Sequence, residues 1–129
     1  MRGDALEFNP RRDRRGGSII TVICQFGLSD EYTPEKTRQI FRDSTQKFEG
    51  MPGLIRKYFL LAEDGRSAAS VYLWESRRPA EGFFTEQWKE FMVGKYGFRP
   101  TVTYYECPVV VDNRSGEVIK ADQAQGEAA

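Results

Sequence analysis

Four runs of β-branched and aromatic residues alternate with two amphipathic segments in the order β-α-β-β-α-β, and no other feature of this chain restricts its fold so tightly. The first run, Ile19-Ile20-Thr21-Val22-Ile23-Cys24-Gln25-Phe26, is too short for a helix and rich in residues that suit a buried strand. Thr33 then offers an N-cap to a helix with Pro34 at its first position, where a missing N–H costs nothing, and Glu35 in its first turn. Ile40, Phe41 and Phe48, with small Ser44 between them, fall on one face of that helix. Lys36, Arg42, Asp43 and Lys47 face water, and Gly50 ends the helix. Beyond the Pro52-Gly53 turn, residues 54–61 and 68–74 read as a hairpin joined through Glu63-Asp64-Gly65-Arg66. A second helix starts near Pro79, carries Phe83, Phe84, Trp88, Phe91 and Met92 at three-to-four spacing, and ends towards Gly94 or Gly97. Arg99-Pro100 breaks the chain before a last strand from Thr101 to Val111.

This order, split by one hairpin, predicts a ferredoxin-like α+β sandwich: an antiparallel four-stranded sheet with both helices on one face. The other face needs a cover, because the first and last strands carry apolar residues at both parities instead of alternating with polar ones. Sheet-to-sheet packing of two copies into a homodimer would supply it. Residues 1–17, with Arg11-Arg12-Asp13-Arg14-Arg15-Gly16-Gly17, and residues 113–129 hold little to bury and are expected to be tails, which leaves one domain over residues 18–112.

Composition narrows the chemistry. The chain contains no histidine, so histidine-based triads, HExxH zinc sites, histidine-ligated haem and imidazole acid–base catalysis all lack their central group. Cys24 and Cys107 lack CxxC spacing and sit in strand-like runs, which favours buried free thiols; a disulfide is conceivable only if their strands are neighbours. Acidic residues are scattered, so no metal is expected, and Gly16-Gly17 precedes the first strand instead of following it, the wrong context for a nucleotide-phosphate loop. Nineteen basic residues balance nineteen acidic ones, and the third strand lacks the glycine-aromatic signature of the RNA-binding domains that share this topology, so no nucleic-acid partner is expected. No apolar run is long enough to span a membrane and no secretory h-region precedes the first strand; a cytoplasmic protein is the expectation.

The hairpin permits an argument from register. Pairing Ala62 with Ser67 sets Lys57 opposite Tyr72, Ile55 opposite Trp74 and Phe59 opposite Ser70, all on one face, with Leu54, Arg56, Tyr58, Leu60, Val71 and Leu73 on the other. Lys57, Ser70, Tyr72 and Trp74 then make a mixed polar and aromatic surface suited to a flat, oxygen-bearing aromatic ligand, with Phe59, Phe84 and Trp88 as further apolar contacts. Each has a plainer role in packing, since tryptophans at such positions more often fill cores. A lysine in the middle of a strand snorkels to an edge, pairs with a carboxylate such as Glu75 or Glu106, or enters a cavity, and the first two are the commoner outcomes. Arg77, Arg78 and Arg99 read as solvated charges at element ends, with an entrance for anionic substrates as the sharper alternative.

Glu49-Gly50-Met51-Pro52-Gly53-Leu54-Ile55-Arg56-Lys57, Val71-Tyr72-Leu73-Trp74-Glu75, the Ala/Phe-rich helix that follows and Tyr105-Glu106-Cys107-Pro108-Val109 together resemble the YdhR-type proteins assigned as monooxygenases, within the antibiotic-biosynthesis-monooxygenase-like dimeric α+β barrels. The resemblance covers roughly residues 19–113, about one domain. It implies two ferredoxin-like protomers whose sheets pack into a barrel, each with a pocket between sheet and helices. It also implies a cofactor-independent monooxygenase for an aromatic or polycyclic phenol, with no flavin, metal or haem. The haem-degrading branch of that superfamily typically uses a histidine ligand and is set aside here. Lys57 would then be the charge or hydrogen-bond donor and Tyr72 a donor or proton relay, with Trp74 and Trp88 shaping the site. The alternative is a non-catalytic dimeric barrel that binds a small hydrophobic metabolite.

Overall fold

In the computed structural model, which describes residues 19–120, the elements are β1 (Ile20–Gly27), α1 (Pro34–Asp43), β2 (Leu54–Leu61), β3 (Ser67–Trp74), α2 (Arg77–Phe83), α3 (Glu86–Tyr96), β4 (Thr101–Glu106), β5 (Val109–Asp112) and β6 (Glu117–Lys120). The first four strands form one antiparallel sheet in the order β2-β3-β1-β4, the ferredoxin-like arrangement of an α+β sandwich. The arginine cluster and the rest of the expected N-terminal tail lie outside the described residues, as does the chain after Lys120.

Period-two alternation explains which side the helices cover. On β1 the side chains of Ile20, Val22, Cys24 and Phe26 are buried, and on β3 those of Ala68, Ser70, Tyr72 and Trp74; all point to the same face, where Ala80, Phe84, Met92 and Tyr96 from the helical layer meet them. The opposite face carries Ile23, Tyr58, Leu60, Val71, Leu73 and Tyr105 without a covering layer among the described residues; Tyr58 and Tyr105 each remain 50% exposed and Leu60 42%. The poor alternation of the first and last strands has its counterpart in this open apolar face.

Local chemistry sets the element ends. Thr33 caps α1 by accepting a hydrogen bond from the Lys36 amide at 3.1 Å, with Pro34 at the first helical position. The helix stops at Asp43, well before Gly50, because the Ser44 hydroxyl turns back onto the Ile40 carbonyl at 2.6 Å and residues 45–49 wind into a turn closed by the Phe48 amide on the Thr45 carbonyl. The single helix expected from Pro79 onward is instead two helices. Thr85 begins the second by accepting from the Trp88 amide at 3.1 Å, and Gly97, at φ 93°, ends it in the left-handed conformation. The last strand is broken after Glu106 by Cys107-Pro108, since proline contributes no donor to a ladder. Residues 113–120, expected as part of a polar tail, form a turn and then β6, which pairs with β5 as a separate two-stranded sheet.

The hairpin register agrees with the sequence argument at Lys57–Tyr72 and Phe59–Ser70, and the Ala62 amide donates to the Ser67 carbonyl at 2.9 Å. It departs at Ile55. A bulge between Leu54 and Arg56 places Leu54, not Ile55, opposite Trp74 and lets Leu54 pack on the core. Both cysteines are free. Cys24 is buried opposite Val102, whereas Cys107 is only partly buried and its amide bonds to the Ile19 carbonyl, so the two thiols stand at different levels of the neighbouring strands. Among the described residues no helix is long and apolar enough to cross a membrane.

Candidate active site

Antiparallel pairing gathers the floor of the site. Lys57 and Phe59 on β2 face Tyr72 and Ser70 on β3, and Ser70 in turn faces Cys24 on β1. The turn after α1 brings Phe48 over this patch, α1 itself contributes Phe41, and α3 lays down Trp88, Phe91, Met92, Lys95 and Tyr96 at helical spacing. Between them lies a cavity of about 380 Å³, roughly the size of a small-molecule pocket. Small side chains at the centre of the floor, Cys24 and Ser70, leave space that bulky aromatics on the helical side bridge without filling.

Lys57 dominates the electrostatics. Its Nζ stands 3.6 Å from the ring centroid of Phe48, 4.0 Å from that of Phe59 and 4.6 Å from that of Tyr72. Neither Glu75 nor Glu106 pairs with it; of the three outcomes open to a mid-strand lysine, it takes the cavity. Rings offer their negative faces to an ammonium, but they replace only part of its hydration. Burial therefore pushes the Lys57 pKa down from 10.5 to about 7, and the nearby positive charges of Lys47 and Lys95 act in the same direction. Burial also raises the Cys24 thiol to about 11 and the Tyr96 hydroxyl to about 12. The Tyr72 hydroxyl rises further from its ordinary value, mainly by desolvation, with Ser70 acting the opposite way. At neutral pH the floor thus presents a lysine balanced between amine and ammonium beside a tyrosine and a thiol that keep their protons.

Five of the seven side chains singled out from sequence line the cavity: Lys57, Tyr72, Phe59, Ser70 and Trp88. Trp74 and Phe84 do not. They lie behind Tyr72, Trp74 stacked nearly parallel to its ring at 6.0 Å and Phe84 edge-on at 4.8 Å, because this end of β3 is closed over by α2. The Trp74 indole Nε1–H is buried without an acceptor among the described residues, so Trp74 neither reaches the cavity nor takes the hydrogen-bonding role expected of it. Phe48 holds the cluster together, meeting Phe59, Tyr72 and Phe83 at centroid distances of 5.8, 6.2 and 6.0 Å.

Sequence reasoning missed Lys47 and Lys95. Lys47 is exposed, as expected of it, yet the turn at residues 45–49 also sets it in the cavity lining, with its Nζ 5.8 Å from the Phe91 ring. Lys95 could have been found, since it lies seven residues after Trp88 on the same helical face; its Nζ is 5.9 Å from Phe91. Two of the three arginines considered for an entrance are engaged in exposed ion pairs. Arg77 pairs with Glu81 at 2.6 Å and Arg99 with Glu86 at 2.5 Å. The Tyr32 hydroxyl donates to the Lys95 carbonyl, tying the loop before α1 to the end of α3 beside the cavity. No three His, Cys, Asp or Glu side chains converge among the described residues in a way that would hold a metal ion.

Fold and site together define an α+β protein of ferredoxin-like topology with a lysine-floored aromatic cavity between its sheet and its helices. Among the solved structures that share that fold, two show the extent of the likeness. One, described as a "putative antibiotic biosynthesis monooxygenase from Nitrosomonas europaea", aligns with a TM-score of 0.54 and 14% identity over 70% of this chain and 91% of that one. The other is a point variant of SnoaB, a cofactor-independent oxygenase from Streptomyces nogalater, with a TM-score of 0.50 and 16% identity over 70% of this chain and 94% of that one. At these identities the likeness is one of fold. No protein-family model matches the sequence, and no curated protein is similar to it.

Proposed function

We propose that this chain is a cofactor-independent monooxygenase, of the YdhR type, acting on an aromatic or polycyclic phenol. The observation that carries the reading is the Lys57 ammonium standing inside an aromatic cavity with no carboxylate paired to it among the described residues. A phenol that enters can give its proton up and place its oxygen against Lys57, whose positive charge then has a partner. The electron-rich ring system, deprotonated at an activated CH₂ position, reduces O₂ directly. One oxygen atom becomes the carbonyl of the quinone and the other leaves as water, so that R₂CH₂ + O₂ gives R₂C=O + H₂O. Tyr72, which keeps its proton, donates to the developing peroxide or relays the proton needed for water release. Phe59, Ser70 and Trp88 set the plane and depth of the ring. Trp74 and Phe84 act only by packing behind Tyr72. That SnoaB is described as a cofactor-independent oxygenase supports the same reading.

The proposal includes a homodimer formed through the helix-free sheet face and a cytoplasmic location. A non-catalytic binder of a small hydrophobic metabolite is the rival; it would need only an apolar lining, and the polar groups on the cavity floor favour chemistry instead. Oxygen consumption with a panel of anthrones and hydroquinones tests the reading. Wild-type protein should accelerate uptake and, under ¹⁸O₂, place one labelled atom in the product, while Tyr72→Phe and Lys57→Ala fall towards the uncatalysed rate. Uptake no faster with wild type than without protein would overturn the reading for those substrates.

A further inference from the structure

Three lysines share one cavity. Lys57 stands on the floor among three rings, and Lys47 and Lys95 flank Phe91 on the helical side, with Asp43 the single carboxylate among the described lining residues. Neither salt bridge among the described residues involves these lysines. An ammonium surrounded by apolar rings and like charges relieves both penalties by releasing its proton, and the amine that results is a nucleophile facing an aromatic-lined cavity. We propose that Lys57 forms an imine: the cavity takes an aromatic aldehyde or ketone, stacks its ring among Phe48, Phe59 and Tyr72, and joins its carbonyl carbon to Nζ.

The lone pair of Nζ attacks the carbonyl carbon, a C–N bond forms, and the C=O π electrons move to oxygen, which takes up a proton as Nζ gives up one of its two. The resulting carbinolamine loses the nitrogen proton and, with a second proton delivered to its hydroxyl, breaks its C–O bond to release water and leave C=N. No oxidant or reductant is consumed. Ser70 and Tyr72 line the same floor and are the hydroxyl donors available to the departing oxygen. The low Lys57 pKa, about 7 against an ordinary 10.5, makes a large fraction of it amine at neutral pH. This activity goes beyond the oxygenase reading and does not depend on it.

The test uses the full chain, 1-naphthaldehyde as probe and sodium cyanoborohydride to reduce any imine to a stable secondary amine, at pH 7 under nitrogen, followed by intact mass and peptide mapping. Lys57 should be modified at least about tenfold faster than Lys36, which is exposed and outside the cavity. Lys57→Arg should lose the fast adduct, and Lys36→Arg should keep it. Lys57 modified no faster than Lys36, or not modified at all, overturns the proposal. The comparison is internal to one digest of the wild-type chain, so it stands even if a Lys57 variant folds poorly. Exclusion of oxygen separates this result from the monooxygenase reading, which fails or holds on oxygen uptake alone.

Discussion

Lys57 occupies a place where methionine would cost less, and its charge makes that cost depend on pH. The native pKa of about 7 lies below the ordinary 10.5, so between those values the unfolded chain binds more protons than the folded one, and stability rises with pH across that range. Cys24 near pH 9 and Tyr72 near pH 10 work against it, since the unfolded thiol and phenol ionise there and the buried ones do not, which leaves about pH 7–8 as the clean window. Lys57→Met should therefore stabilise the fold at pH 6 by about 2 kcal/mol, the desolvation penalty being partly offset by lost cation–π contacts, and by less at pH 9. Urea denaturation of both proteins at the two pH values measures this; an equal difference at both would contradict the buried-charge assignment. The hairpin register made Lys57, Phe59, Ser70 and Tyr72 legible in the sequence as one group. The choice among edge, ion pair and cavity for Lys57 was not legible, because it depends on which aromatics the helical layer brings over the sheet.

Among the elements, those whose ends carry their own chemistry were readable: Thr33-Pro34 starts α1 and Gly97 ends α3. The division between α2 and α3 was hidden because Phe83, Phe84 and Trp88 fit one continuous apolar stripe, and only the Thr85 hydroxyl reveals a new start. Thr85→Ala should cost about 1 kcal/mol through the lost cap, seen as a lower denaturation midpoint with unchanged m-value. A sharper constraint lies at Gly53, before the bulge of β2. Its φ is 83°, a Cβ there would meet the Pro79 ring at 2.6 Å, and its carbonyl accepts from the Glu75 amide at 2.8 Å. Gly53→Ala should destabilise by about 2 kcal/mol or more, since both the backbone conformation and the contact with α2 must give. The same denaturation experiment checks it, and a change of less than about 0.5 kcal/mol would show that the turn relaxes freely.

At the scale of the whole molecule, the helices cover one sheet face, and Tyr58, Leu60 and Tyr105 on the other stay open. Tyr58, Leu60, Val71 and Leu73 were legible as one apolar face from hairpin parity. The β5–β6 hairpin was not, because Asn113 to Lys120 reads as polar and small while its pairing depends on backbone bonds. The proposed homodimer predicts a two-chain species by size-exclusion with light scattering, and Leu60→Arg should shift it to monomer while leaving the fold intact, as a buried unpaired charge opposes association. The central claim concerns the other face: the cavity holds an aromatic phenol as its anion against Lys57. 2-Hydroxyanthraquinone, a phenol already at the oxidation level of the product, reports its ionisation directly through its visible spectrum. Titrated across pH with the wild-type chain, it should ionise at lower pH when bound than when free, and Lys57→Met should abolish that shift while still binding the ring. An identical titration curve for the free dye and for the dye bound to wild type would contradict the claim.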